Sequence, residues 1–194
     1  MERRLAEAGI RRRWWKISLT ETSPVTPDQE RALRAAQAYV SQDLDKHDGR
    51  GLGFFGPPGT GKTHLAVGIA RAVIEQGHTV CWLSVPDWLD DLRRAIRAEA
   101  EDPNERAFAA DLVVLDDLGA EYVRRSGEGT AWAEEQVYRL VNRRYEDMRP
   151  LVVTSNCALQ DLPSRVGARV ASRLLEMVEP ILLSGPDARR VSYG

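Results

Sequence analysis

Leu52-Gly53-Phe54-Phe55-Gly56-Pro57-Pro58-Gly59-Thr60-Gly61-Lys62-Thr63 runs an apolar stretch straight into a glycine-rich turn that ends in Gly-Lys-Thr. The last eight residues satisfy GxxxxGK[ST]. Their context agrees, because a short apolar strand precedes them and a helical pattern from about Lys62 to Gln76 follows. Glycines there let backbone N–H groups converge on phosphate oxygens at a helix N-terminus, where the helix dipole also favours an anion. Lys62 would reach the β- and γ-phosphates, and the Thr63 hydroxyl would ligate Mg²⁺. The chain holds 24 arginines and only three lysines, so a lysine at this spot is distinctive.

Outward from the loop, strands and helices alternate. Upstream, Ala32, Leu33, Ala36, Tyr39 and Val40 recur at helical spacing between Pro27 and about Leu44, with Thr26 or Asp28 able to cap the start. Downstream, Gly77 ends the helix and TVCWLS reads as a buried strand. Asp87 then caps a helix with Trp88, Leu89, Leu92 and Ile96 on one face and Arg93, Arg94 and Arg97 on another. Between Glu99 and Glu121 lie eight acidic residues and one arginine, and the apolar run LVVL inside that stretch stops at Asp116 and Asp117. A helix over 131–147 around Val137, Leu140, Val141 and Tyr145, the strand LVVTSN, a short helix near 168–177 and the strand PILL complete the pattern. Five strands alternating with helices predict an α/β fold, a parallel sheet sandwiched by helices.

At 194 residues the chain has room for one domain, and 43% hydrophobic with 29% charged residues excludes a disordered or collagen-like chain. A net charge of -2 makes it no polycation, so any nucleic-acid contact must be a local patch. Cys81 and Cys157 sit in apolar stretches without zinc-ligand spacing. No signal-peptide pattern or membrane span is legible, and a cytoplasmic protein is expected. Residues 1–16 carry six basic and two acidic side chains, and a Ser/Thr/Pro stretch follows. Residues 1–25 read as an arm or linker before a folded unit of 26–194.

A phosphate loop needs a second Mg²⁺ anchor. Asp116 stands at the C-terminal end of an apolar strand, where open α/β sheets place their ligand crevice. Asp117 is then the candidate base. Asn156 also follows directly on a strand; its amide could orient the attacking water, or the residue could be a plain turn former.

With these residues assembled, the chain resembles the AAA+ ATPases of the DnaC/DnaI helicase-loader and IstB transposition-helper family. The resemblance covers about residues 25–192 and rests on GPPGTGKTHLA, LVVLDDLG, NRRYEDMRP, LVVTSN, RVASRL and SGPDAR, taken in that order. It implies a P-loop NTPase fold of AAA+ type with a reduced or absent lid, and it adds His64 to the nucleotide-binding run. By the resemblance Asn156 is sensor 1. Arg169 or Arg173, four apart on one helical face, is the arginine finger for a neighbouring subunit's γ-phosphate, with Arg169 favoured. Arg189 looks like the sensor-2 arginine, with Arg190 as the spare. GIRRRWW looks like the linker that flanks the adenine, which makes Ile10 and Trp14 wall residues, unless the segment is a frayed basic arm.

Arg93, Arg94 and Arg97 fall where the family carries a helical element facing a central channel, so they either follow a nucleic-acid backbone or form a solvated face. Arg143 and Arg144 join the subunit interface or the same channel, or are solvated. Most AAA+ proteins place Glu where Asp117 stands, which implies slow hydrolysis. The resemblance implies ATP and Mg²⁺ as ligands, self-association through the ATP site, single-stranded DNA and a hexameric replicative helicase as partners, and no membrane. A transposase is the alternative partner, with duplex DNA. From other classes, a P-loop small-molecule kinase lacks an evident acceptor pocket, and a nucleotide-gated binding module would show negligible turnover.

Overall fold

The computed structural model describes residues 1–100, 102–120 and 128–185. Strands β1 (Gly51–Phe55), β2 (Val80–Ser84), β3 (Leu112–Asp116), β4 (Leu151–Ser155) and β5 (Val178–Leu182) form one sheet in the order β2-β3-β4-β1-β5. Every neighbouring pair is parallel, as expected from the sequence. Parallel strands need crossovers, and the helices of those crossovers cover both faces. Helices α1 (Glu2–Glu7), α2 (Pro27–Val40) and α3 (Lys62–Glu75) pack on one face. On the other lie α4 (Val85–Ala98), α5 (Asn104–Ala109), α6 (Glu128–Glu146), α7 (Leu162–Val166) and α8 (Ala168–Met177). The period of two along β3 divides its side chains between the two cores. Leu112 and Val114 face α1–α3, whereas Val113 and Leu115 face α4–α8.

Local chemistry sets the helix ends. Pro27 opens α2, and the Thr26 hydroxyl accepts from the Gln29 N–H at 3.2 Å, so Thr26 is the cap and not Asp28. The helix after β2 begins at Val85, two residues before the expected cap Asp87, which lies in its first turn. Trp88, Leu89 and Leu92 are buried as expected, but Ile96 is 62% exposed because it lies in the last turn of α4, beyond the reach of the core. The short helix α5 was not anticipated, since the acidic run around it hides its few apolar residues.

Residues 1–25 are not an arm outside the folded unit. Leu5, Ala8, Ile10 and Leu19 are buried in the same cluster as α2 and α3. The Trp82 N–H on the edge strand β2 donates to the Ala8 carbonyl at 2.8 Å. Arg71 on α3 holds the carbonyls of Trp15 and Ile17 at 3.0 and 3.4 Å. Sparse apolar residues among charges gave no periodic signal, yet each of these four finds a place in the core.

Arg144, read as an interface, channel or solvent-facing residue, is fully buried. Its guanidinium donates to the carbonyls of Ala107 at 3.1 Å, Asp111 at 2.8 Å and Pro150 at 2.9 Å, and also to that of Ala110. It ties α6 to the end of α5 and the entries to β3 and β4. Burial, reinforced by nearby Arg149, pulls its pKa down to about 10. Arg143, in contrast, is exposed and paired with Asp147 at 2.8 Å. No described helix is long and apolar enough to cross a membrane.

Candidate functional site

The glycine loop begins where β1 ends. The Leu183 N–H donates to the Phe55 carbonyl at 2.8 Å and the Gly56 N–H to the Ser155 carbonyl at 3.2 Å, which fixes the loop between β4 and the end of β5. A Cβ on Gly56 would fall 1.9 Å from the Leu183 oxygen, so only glycine fits there. Gly61 caps α3 at φ 96°, a left-handed conformation that costs glycine nothing and leaves open space beside it. Thr60, fully buried, donates to the Pro57 carbonyl at 3.0 Å, and its own carbonyl accepts from Gln29 at 3.2 Å. Gly56, Pro57, Pro58, Gly59, Thr60 and Gly61 thus lead from the end of β1 to the N-terminus of α3. Lys62 is buried, with its ammonium on the carbonyls of Gly56 at 2.7 Å and Pro57 at 2.6 Å, folded over the loop it would serve.

The fold brings the carboxylates to this loop. Thr63 donates to Asp116 Oδ1 at 2.9 Å, and Thr154 donates to the same oxygen at 2.7 Å. Asp116 is 8% exposed. Burial pushes its pKa up, with the charge of Asp117 adding to the rise, against the hydroxyls of Thr154 and Thr63 and the charge of Lys62. The neighbouring Asp117 is half-buried at φ 59°; its N–H donates to the Thr154 hydroxyl at 3.0 Å, and its Oδ1 accepts from the Asn156 amide at 3.1 Å. Asn156 therefore does more than form a turn: it reaches across from the end of β4 to the candidate base. Sequence reasoning missed Thr154, although a hydroxyl at the end of an otherwise apolar strand was the available signal.

Other candidates fall elsewhere. His64 meets the Thr22 hydroxyl at 2.9 Å, and burial lowers its pKa. Ile10 is 3% exposed in the core and presents no wall to a ligand. Trp14 is half-buried and carries Arg13 over its ring. The next residue, Trp15, is held by Arg71, which lies nine residues beyond Lys62, or roughly 13 Å along the helix at 1.5 Å per residue. Nearer the loop, Thr22 meets His64 in the first turn of α3, and Gln29 on α2 meets the Thr60 carbonyl.

Arg169 and Arg173 lie over the rings of Tyr138 and Tyr145 on α6, at 4.0 and 4.2 Å, and Arg173 also meets Glu176 at 3.8 Å. Arg189 and Arg190 lie outside the described residues, as does any lid after Gly185. On α4, Arg93 covers the Trp132 ring at 4.3 Å and pairs with Asp90, Arg94 pairs with Asp91, and Arg97 is exposed. Much of that basic stripe is neutralised along its own helix.

Beyond Asp117 and Asn156 opens a cleft of about 550 Å³ whose polar lining includes Arg11, Asp87 and Arg165. Arg11 and Asp87 form an ion pair at 2.6 Å, which pins the N-terminal segment to the start of α4. The arrangement has an anion cradle, a buried lysine, two adjacent carboxylates and an amide on the second of them. It can bind a nucleoside triphosphate and direct water at its terminal phosphoryl group.

Comparison with known proteins identifies the family. Over 180 residues the chain is 27% identical to the replicative helicase loader DnaC of Escherichia coli (strain K12), covering 90% of this chain and 69% of that protein. Over 118 residues it is 30% identical to the ATP-binding protein of insertion sequence IS5376 from Geobacillus stearothermophilus, covering 60% of this chain and 44% of that one. A crystal structure of the DnaC helicase loader superposes with a TM-score of 0.78 at 29% identity, over 90% of this chain and all of the other. The family model described as IstB-like ATP binding protein matches residues 35–178. The chain thus belongs to the IstB-like ATP-binding protein family and is an ATPase of AAA+ type.

Proposed function

We propose that this chain is a Mg²⁺-dependent ATPase switch that loads a hexameric replicative helicase, assembling on single-stranded DNA in the ATP state. The observation that supports the chemistry is the junction of Thr63, Asp116, Asp117 and Asn156 through direct hydrogen bonds. The loader role is supported by similarity to DnaC over nine tenths of the chain.

The Thr63 hydroxyl and the Asp116 carboxylate are hard oxygen donors, and a pair of this kind suits Mg²⁺, which keeps waters and phosphate oxygens as its other ligands. Bound there, the ion would neutralise charge on the β- and γ-phosphates. Lys62 turns from its loop carbonyls to the phosphates. Asp117 takes a proton from the attacking water, and Asn156 holds the Asp117 carboxylate in place. Arg169 or Arg173 senses the γ-phosphate of a neighbouring subunit after leaving its tyrosine, and Arg189 acts within its own subunit. Among the basic residues of α4, Arg94 and Arg97 are the ones exposed enough to meet a phosphate backbone. The second reading, a helper of a DNA transposase, is favoured by the family model and by the insertion-sequence relative.

The test is the mass of the protein by light scattering, with ADP and with a slowly hydrolysed ATP analogue, each without DNA, with single-stranded DNA and with duplex. Growth from monomer to oligomer with the analogue alone, lost in Arg169→Ala or Arg173→Ala and promoted by single strands, is expected. Promotion by duplex alone would favour the transposition helper. A monomer under every condition would overturn the switch mechanism.

A further inference from the structure

Arg165 stands on α7, half-buried, in the wall of the cleft that Asp117 and Asn156 share. Its stem is fixed over the loop that leaves the carboxylates: a Cβ placed on Gly119, two residues after Asp117, would lie 3.5 Å from the Cβ of Arg165. Other described arginines near the site or named as candidates for it are engaged. Arg11, in the same cleft, is bound to Asp87, while Arg169 and Arg173 rest on tyrosine rings. Among the described residues Arg165 has no hydrogen-bond or ion-pair partner. A half-buried guanidinium without a counter-ion has lost part of its hydration, and an entering oxyanion restores that with charge-assisted hydrogen bonds.

Asp117 and Asn156, the pair that would handle the attacking water, line this cleft together with Arg165. Asp87 is paired with Arg11, which leaves Asp117, among the described residues of the lining, as the carboxylate without a cationic partner. Among the described residues, Arg165 is thus the cation in this lining that is left for an anion placed against Asp117 and Asn156.

We propose, resting on the ATPase reading above, that Arg165 contacts the γ-phosphoryl group of the ATP held by its own subunit and stabilises the charge that builds there. In that step the water oxygen bonds to the γ-phosphorus and the bond from the γ-phosphorus to the β–γ bridging oxygen breaks. ADP leaves with that electron pair, and the water proton passes to the Asp117 carboxylate and then to solvent. Arg165 forms no bond; it offers a bidentate donor to the equatorial oxygens, a task for which lysine is a poor substitute.

The experiment compares steady-state ATP turnover and ADP affinity in wild type, Lys62→Ala, Arg165→Ala and Arg165→Lys. It also includes a mixture of Arg165→Ala subunits with Asp117→Asn subunits. The expected result is a fall in kcat of about 10²-fold in Arg165→Ala, the size found on removing one transition-state donor, with ADP affinity within twofold of wild type. Arg165→Lys recovers little, and guanidinium ion at millimolar concentration restores part of the loss in Arg165→Ala. Mixing restores nothing, because the Asp117→Asn subunit cannot lend its arginine. A kcat within twofold of wild type overturns the proposal, and recovery on mixing overturns its own-subunit geometry. Absence of any Lys62-dependent turnover in wild type would overturn the ATPase reading and this proposal with it. Should Arg165→Ala lack a cooperative thermal transition, Arg165→Gln is judged by the same criteria.

Discussion

Asp116 is held under opposing demands. In the proposed mechanism it is ionised to hold Mg²⁺, yet burial and the adjacent Asp117 raise its pKa, while Thr63 and Thr154 give it two hydroxyl donors on one oxygen. A carboxyl whose folded pKa lies above its ordinary 3.8 gives its full stability below that value and loses it as pH rises through the folded pKa. Asp116→Asn keeps an oxygen for both hydroxyls and removes the charge. The ligand-free variant should therefore melt above wild type at neutral pH, with the gap closing as pH falls toward 3.8, in thermal unfolding followed by circular dichroism. Mg²⁺-dependent turnover should drop at least about 10²-fold. A lower melting temperature at pH 7 would refute the burial argument. Asp117 shows a related constraint. At φ 59° its backbone lies in the left-handed region, which Asp and Asn adopt more readily than Glu.

At the scale of elements, Arg144 joins α6 to α5, β3 and β4, a role that was not legible in the sequence. Four basic residues lie between Arg139 and Arg149 in and just after α6, and helical spacing alone cannot say which of them faces carbonyls instead of water. That depends on the ends of α5 and β3, which are distant in sequence. Removing the guanidinium strands the carbonyls of Ala107, Ala110, Asp111 and Pro150. Arg144→Ala should cost about 3–5 kcal/mol, because several buried carbonyls lose a charged donor and an unsatisfied buried acceptor costs about 1–3 kcal/mol. At this chain length that corresponds to a fall in Tm of roughly 10 °C. Arg144→Lys should recover less than half, since an ammonium cannot fork across several acceptors. A change below about 1 kcal/mol in chemical denaturation would contradict this account. The β-strands were legible for the opposite reason: an apolar run ending in Gly-x-x-x-x-Gly-Lys-Thr or Asp-Asp allows few other readings, because the chemistry at the strand end dictates the residues.

For the whole molecule, the N-terminal segment alters what counts as the folded unit. The sequence placed a boundary near residue 25, but Leu5 is 1% exposed within the core built by α2 and α3. Leu5→Ala should destabilise the entire protein by about 2–5 kcal/mol, with one cooperative transition retained. A separate early transition, or no loss of stability, would show that residues 1–25 melt independently. The site followed the same division of legibility. Lys62, Thr63, Asp116, Asp117 and Asn156 could be read from strand ends and motif. The contact of Thr154 with Asp116 could not, because it depends on which strand lies beside which, and neither could the position of Arg165, which depends on how α7 folds back over Gly119.

The hydrogen bond from Trp82 to the Ala8 carbonyl has a practical side. It covers part of an outer strand that would otherwise show unpaired backbone donors and acceptors to the next molecule. Shortening the protein by its first ten residues would expose a sticky ribbon, and concentrated solutions of such a fragment should form precipitate or fibres well before the catalytic residues are disturbed. For anyone preparing the protein, the place to trim or fuse is therefore not its beginning.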